Sequence, residues 1–121
     1  TYMAWISDGS QSPATRFSQT GAPYKRVTGS TVADDWADLT DGSLDQTISY
    51  DEHGFQIVGD YVWTNTATNG TSAGGDHCSS WTNATSGSSG RIGALTSKSL
   101  SWTNIGTDTC NTPKRLYCVG Q

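Results

Sequence analysis

The chain has 121 residues, a formal net charge of −4 and a pI near 4.7, and only 33% of its residues are hydrophobic. This length suits one domain and leaves no room for a second core, so we predict a single domain over residues 1–121. The acidic charge argues against nucleic acid and anionic membranes as partners, and the absence of a long apolar run argues against membrane insertion.

Short apolar runs between clusters of Gly, Asn, Asp and Ser predict an architecture of short strands. The predicted strands, in chain order, are Tyr2–Ile6, Phe55–Val58, Tyr61–Trp63, Leu100–Trp102 and Leu116–Val119.

One short helix is predicted after the first strand, in the stretch STVADDWADL. Val32, Trp36 and Leu39 recur there at helical spacing, and Ser30 or Thr31 could cap the amino end. The stretch DEHGFQIVGDYVW that follows predicts a hairpin of open register. It would reverse at residues 52–54 or at residues 59–60.

Residues 64–93 consist almost entirely of Thr, Asn, Gly, Ser and Ala. They predict a long loop with one strand around Cys78–Trp81. A loop of more than about 15 residues inside a compact domain usually has a function, so this region is the first place to look for a site.

All three cysteines lie in the last third of the chain, at Cys78, Cys110 and Cys118. Their spacing is poor for zinc, and no metal site is predicted from them. If Cys78 joined Cys110, the bridge would close a loop of about 32 residues and stabilise the domain by roughly 4 kcal/mol. Cys118 would then be left over.

The closing stretch SWTNIGTDTCNTPKRLYCVGQ resembles the end of a C-type-lectin-like domain, and the longer stretch from VWTNTATNG onward is closer to the endostatin-like branch of that fold. The chain also resembles a family of bacterial surface domains of unknown function in its order of motifs. The matching motifs are Trp5–Asp8, Asp35–Leu44 and Cys78–Trp81.

The resemblance implies an α+β domain of mostly short antiparallel strands, with long loops and one or two short helices. It also implies a Cys78–Cys110 disulfide that ties down the long loop. Cys118 would be unpaired or bonded to a missing segment, because the domain would lack its N-terminal helix. We expect such a domain to be secreted or displayed on a cell surface, where disulfides persist.

Sugar binding is the activity that the resemblance suggests first. The loop tripeptides and the Trp-Asn-Asp motif of a calcium-dependent lectin are missing, so the only sugar site left open is a calcium-free one in which tryptophan stacks on the sugar. The candidate ligand-binding residues are Asp76, Trp81, Asn83, Trp102 and Asn104. The alternative is that Trp81 and Trp102 are core residues of their strands.

No cofactor is predicted. Asp38, Asp41 and Asp45 cluster near a glycine turn and could cage calcium. The favoured interpretation is that these are helix-end and turn aspartates on a solvated face. Catalysis is not expected: His53 falls in a predicted turn, and Cys78 is expected to be oxidised.

We therefore predict a non-catalytic recognition or adhesion module that binds a glycan or protein on another cell's surface through residues 64–95. It could also form a homo-oligomer through an upstream stalk. The alternative function is structural: a domain that caps or oligomerises a larger surface fibre without binding a small ligand.

Overall fold

The computed structural model describes all 121 residues, and it is an α+β domain with short helices and antiparallel sheets. Helix α1 is Pro13–Arg16 and helix α2 is Trp36–Leu39. The strands are β1 Tyr2–Ala4, β2 Tyr24–Lys25, β3 Thr31–Ala33, β4 Tyr61–Trp63, β5 Ser89–Ala94, β6 Gly106–Thr109 and β7 Cys118–Gly120. None of the helices is long and apolar enough to cross a membrane.

The strands form three small antiparallel sheets. The largest has the order β4-β5-β6, with Val62 opposite Gly93 and Gly90 opposite Asp108. Strands β2 and β3 pair with each other, and β1 pairs with β7, which places Ala4 opposite Cys118. The pairing of β1 with β7 brings the two ends of the chain together, and the Gln121 N–H donates to the Thr1 carbonyl at 2.9 Å.

Aromatic side chains form the centre of the hydrophobic core. Trp5 is fully buried, and its ring centroid lies 4.9 Å from that of Trp102 and 5.9 Å from that of Phe17. The Trp5 indole Nε1–H donates to Thr103 Oγ1 at 2.7 Å, so burial leaves this donor satisfied. A chain with few apolar residues thus builds its core from a few large ones.

Buried hydroxyl groups join the core to the loop that follows β4. Ser7, Thr64, Thr66 and Thr103 are fully buried. Thr103 Oγ1 donates to the Thr66 carbonyl at 2.9 Å, and Ser7 Oγ and Thr66 Oγ1 are 2.8 Å apart. Because their partners lie within the protein, these hydroxyls avoid the cost of unsatisfied burial. The core can therefore include these four hydroxyl side chains.

The predicted helix begins several residues too early in the chain. The structure forms β3 at Thr31–Ala33 and begins α2 only after Asp35, whose side chain accepts from the Asp38 N–H at 2.9 Å. Asp35 is therefore the N-cap, and Ser30 and Thr31 are not. Val32 is still buried, but as a strand residue facing the core.

Three of the predicted strands are wrong. Phe55–Val58 forms only an isolated bridge at Gln56, and Phe55 is 70% exposed. Cys78–Trp81 is a helical turn, and Leu100–Trp102 is a 3-10 turn. The turn at residues 52–54 is real: Gly54 has a φ of 83°, and its N–H donates to the Asp51 carbonyl. Strand β4 is confirmed, and the first and last predicted strands are confirmed in part.

The long loop predicted over residues 64–93 contains strand β5, the central strand of the largest sheet. Its sequence SGRIGA has one β-branched residue, so strand propensity gave no signal. Two of its glycines are required by close approach. A Cβ on Gly90 would lie 2.8 Å from the Trp63 ring, and one on Gly93 would lie 2.9 Å from Thr103 Cα.

Candidate functional site

The predicted disulfide between Cys78 and Cys110 is present and joins residues 32 apart in the chain. Both cysteines are buried, and Cys78 Sγ packs close to Gly90 of β5. The bridge therefore anchors the segment after residue 77 to the largest sheet. Cys118 is exposed and free, as expected for the leftover cysteine of this chain.

The anchored segment begins with a left-handed turn over Cys78–Trp81, whose four φ angles are 51°, 52°, 56° and 64°. Left-handed backbone costs a non-glycine residue roughly 1–2 kcal/mol, so four in a row need strong support. His77 supplies some of it, since its Nδ1 accepts from the Ser80 N–H at 2.8 Å and its carbonyl from the Trp81 N–H at 2.7 Å. Strained residues cluster at functional sites, which makes this turn a candidate.

The left-handed turn presents Trp81 to a small cleft. The Trp81 Nε1–H donates to the Ser7 carbonyl at 2.9 Å, and the Trp81 ring lies 5.7 Å from the Trp63 ring. A cavity of about 220 Å³ opens beside it. We call this cavity the Trp81 cleft; its lining residues are Ile6, Asp8, Gln11, Arg16 and Trp81.

Charged groups of both signs are fixed at the Trp81 cleft. Arg16 Nη2 donates to the carbonyls of Ala4 at 3.0 Å and Ile6 at 2.7 Å. Asp8 Oδ1 accepts from the backbone N–H groups of Ser10 at 2.7 Å and Gln11 at 2.8 Å. These backbone hydrogen bonds hold the pKa of the Asp8 carboxyl below its ordinary value. The cleft thus combines a half-buried aromatic ring with a fixed carboxylate and a guanidinium.

The contribution of Asp8 to stability should depend on pH. Its folded-state pKa is lowered, so the stabilisation is complete above the ordinary aspartate pKa of about 3.9 and is lost as the pH falls through the folded value. We expect the difference in unfolding free energy between the wild type and Asp8→Asn to be largest at neutral pH and to shrink on acidification. Urea unfolding at a series of pH values would measure it. A difference that stayed constant down to about pH 2 would contradict the role given to the carboxylate.

Of the five predicted ligand-binding residues, only Trp81 lines the Trp81 cleft. Trp102 is 1% exposed, so its ring is closed to a sugar and the residue belongs to the core, as the alternative had it. Asn83 closes a local turn: its Oδ1 accepts from the Thr85 N–H at 2.9 Å, and its Nδ2 donates to Ser88 Oγ at 2.9 Å.

Asp76 and Asn104 are brought together by Arg91, away from the lining of the Trp81 cleft. Arg91 Nη2 lies 3.0 Å from Asp76 Oδ2, and Arg91 Nη1 donates to Asn104 Oδ1 at 3.1 Å. Arg91 thus takes up one hydrogen-bond acceptor of Asp76 and one of Asn104. This cluster joins β5 to its flanking loops, which is a structural role that accounts for all three side chains.

Sequence reasoning missed Asp8, Gln11 and Arg16 as site residues. For Asp8 the sequence does contain a signal, because the Trp5–Asp8 motif is part of the family resemblance. Its position some seventy residues before Trp81 hid the connection. Only the fold, through the bond from Trp81 to the Ser7 carbonyl, brings that motif beside the long loop.

The acidic segment forms a different cluster from the one predicted. Asp34, Asp38 and Asp45 each place a carboxylate oxygen within 4.8 Å of the others, an arrangement that could hold a divalent cation. Asp41 is outside this set, and its Oδ1 instead accepts from the Ser43 N–H at 2.9 Å. The carboxylates that could cage calcium are therefore those of Asp34, Asp38 and Asp45, whereas Asp41 is a turn aspartate, as the favoured interpretation has it.

Comparison with known proteins adds no assignment. No protein-family model matches the chain, and no curated protein matches it. The support for a function therefore comes from the geometry of the site.

Proposed function

We propose that this chain is a non-catalytic recognition module that binds a glycan on another cell's surface through the Trp81 cleft. The observation that carries the proposal is the left-handed turn, strained at four consecutive residues, which holds the Trp81 ring at a cleft with fixed charged groups. Small-ligand sites commonly combine apolar or aromatic surface with a few placed polar groups.

The shape and chemistry of the Trp81 cleft suit a sugar ring. An aromatic ring offers an apolar face to the C–H groups of a pyranose, while Asp8 and Arg16 offer an acceptor and donors to its hydroxyls. A cavity of about 220 Å³ accepts one small ring rather than a large cofactor. The exposed side chain of Gln11 adds an amide at the same opening.

We further propose that the domain has the C-type-lectin-like fold of the endostatin-like branch and is secreted or displayed on a cell surface. The α+β architecture, the disulfide that anchors the long loop and the pairing of the first and last strands all support this fold. A structural disulfide also suits an oxidising compartment.

A glycan array would test the function. Wild-type protein should bind a defined subset of glycans, and Trp81→Ala should reduce that signal by at least about tenfold, equivalent to a loss of roughly 1.4 kcal/mol. Phe55→Ala is a matched control, because Phe55 is an aromatic residue that is 70% exposed and lies outside the Trp81 cleft. It should bind as the wild type does.

A second variant distinguishes loss of binding at the site from loss of binding through unfolding. Gln11 is exposed, so Gln11→Ala should leave the circular dichroism spectrum and melting temperature unchanged while it weakens glycan binding. Unchanged binding by Gln11→Ala and by a folded Trp81→Ala would contradict the proposal.

The alternative is a structural domain that caps or oligomerises a surface fibre. The observation in its favour is the set of large apolar side chains on the surface, among them Tyr2 at 75% and Val58 at 80% exposure. A wild type that oligomerises by light scattering and gives no signal on the glycan array would favour this function over recognition.

A further inference from the structure

His77 lies at the start of the left-handed turn, and its imidazole has no part in the glycan contacts proposed above. Its Nδ1 accepts from the Ser80 N–H at 2.8 Å, and its carbonyl accepts from the Trp81 N–H at 2.7 Å. Nδ1 can accept a hydrogen bond only while that nitrogen carries no proton. The bond to Ser80 therefore requires the neutral imidazole, with its proton on Nε2.

The imidazole supports the exposed part of the left-handed turn. Ser79 and Ser80 have φ angles of 52° and 56°, and both are exposed, so packing does little to hold their backbone. Left-handed backbone is unfavourable for residues other than glycine and persists only where contacts support it. His77 is the only side chain that accepts a hydrogen bond from the backbone of these two serines.

Protonation of His77 would replace this attraction by a repulsion. Histidine is the side chain whose charge changes between about pH 5 and pH 8. Once Nδ1 carries a proton it is a donor, and it then faces another donor, the Ser80 N–H. Because Ser80 is exposed, water can accept from its N–H when the turn opens. Acidification therefore disfavours the closed turn.

A carboxylate of the Trp81 cleft lies on the other side of the imidazole. A Cβ on Gly9 would lie 3.6 Å from His77 Nε2, and Asp8 is the residue before Gly9. Backbone hydrogen bonds hold the pKa of the Asp8 carboxyl below its ordinary value, and the nearby imidazole lowers it further. All the hydrogen bonds that Asp8 accepts use Oδ1, so Oδ2 is free to accept from an imidazolium.

The other charged groups beside His77 form an ion pair with each other. Asp76 precedes His77, and Arg91 follows Gly90, with which His77 forms a β-bridge. Arg91 Nη2 lies 3.0 Å from Asp76 Oδ2. Asp8 forms no ion pair, so its carboxylate is the group toward which a protonated imidazole would rotate.

We propose that His77 makes the Trp81 cleft pH-sensitive, a regulation that rests on the proposed function of this cleft. At neutral pH the imidazole supports the left-handed turn, and the turn holds the Trp81 ring at the cleft. When the imidazole takes up a proton from solvent, it releases the Ser80 N–H and rotates toward the Asp8 carboxylate. The ring then loses support and the carboxylate is no longer free for a sugar hydroxyl, so the ligand is released.

An NMR titration of isotope-labelled protein tests the switch without any ligand. The His77 imidazole and the Ser80 amide should titrate together between about pH 7.5 and pH 5.5. The protection of the Ser80 amide against hydrogen exchange should fall at least about fivefold over the same range, the effect of losing one net hydrogen bond. A Ser80 amide that neither titrates nor loses protection would overturn the proposal.

His77→Asn removes the titration while it keeps an acceptor. An asparagine side chain can cap a turn through its oxygen, and it carries no charge at any of these pH values. The variant should keep the protection of the Ser80 amide at both ends of the range. Loss of protection on acidification that persisted in His77→Asn would overturn the assignment to His77.

His53→Asn is the matched control. His53 is the only other histidine in the chain, its side chain is 71% exposed, and it lies outside the lining of the Trp81 cleft. Its replacement should leave the titration of the Ser80 amide as it is in the wild type. A titration that disappeared in His53→Asn would overturn the proposal.

Glycan binding at the two pH values gives the functional readout. The affinity of the wild type should fall at least about fivefold from about pH 7.5 to about pH 5.5, and that of His77→Asn by less than about twofold. The Asp8 carboxyl stays ionised over this range, because its pKa lies below the ordinary value of about 3.9. Equal affinity of the wild type at both pH values would overturn the regulation and leave the proposed function standing.

Failure of the proposed function would have a different signature. If no glycan binds at either pH, the function is wrong, and the NMR titration still decides the behaviour of His77. Joint titration of His77 and Ser80 would then support the switch, and a Ser80 amide unaffected by pH would overturn it.

Discussion

Replacement of Cys78 and Cys110 together by serine is expected to lower the free energy of unfolding by about 4 kcal/mol, the chain-entropy value for a bridge that closes 32 residues. This is a large share of the stability of a small domain. Urea unfolding of the wild type and the double variant, each with and without reducing agent, would measure the change. The reducing agent should destabilise only the wild type.

The bridge is also expected to hold the left-handed turn. Without it, the backbone of Ser79 and Ser80 can relax to ordinary φ values, and the relieved strain offsets part of the loss, so about 4 kcal/mol is the largest destabilisation expected. The Trp81 ring would then leave its place beside Ser7, with a change in tryptophan fluorescence and a loss of glycan binding. A double variant that kept full glycan binding would show that the turn does not depend on the bridge.

Cys118→Ser is the matched control for the disulfide experiment. Cys118 is exposed and makes no bond within the chain, so its replacement should change the unfolding free energy by no more than about 0.5 kcal/mol. A loss as large as that of the double variant would mean that Cys118 takes part in the native disulfide chemistry, contrary to the structure.

Gly93→Ala is expected to destabilise the domain by about 3 kcal/mol, the upper end of the usual range for overpacking. The added Cβ would contact backbone atoms on the facing segment, the Trp102 carbonyl and Thr103 Cα, the latter at 2.9 Å. Backbone atoms cannot rotate away as a side-chain tip can. Since Trp102 lies at the centre of the aromatic core, any shift would spread to Trp5 and Tyr117.

Gly106→Ala tests whether the effect at Gly93 comes from the close approach or from glycine as such. Gly106 lies in β6 of the same sheet, and a Cβ built there meets no atom within 4 Å. Its replacement should alter the unfolding free energy by no more than about 0.5 kcal/mol. Thermal unfolding of both variants would measure the contrast, and equal losses would contradict the packing argument.

Part of this fold could be predicted from the sequence, for physical reasons. Tyr61–Trp63 combines an aromatic and β-branched run with a preceding turn, and it forms a strand as expected. The pairing of Cys78 with Cys110 followed from the resemblance of the closing stretch. Trp81 is a candidate from the sequence because an exposed tryptophan can stack on a sugar ring, and it does line the Trp81 cleft.

The rest depended on contacts that are distant in the chain. Strand β5 exists because Gly90 and Gly93 allow Trp63 and the Trp102 backbone to approach closely, not because its residues prefer strands. The left-handed turn after His77 contradicts local preference, and the contacts beside it are the Cys78–Cys110 bridge and the hydrogen bond from Trp81 to the Ser7 carbonyl. Asp8 became a site residue only through the fold, since no local pattern relates it to Trp81.

The hydrogen bond from Gln121 to Thr1 leaves the amino and carboxyl ends of the chain side by side. A short glycine linker could join them without moving either strand, so a circularly permuted protein can be built with its new ends in the exposed stretch near Gly21.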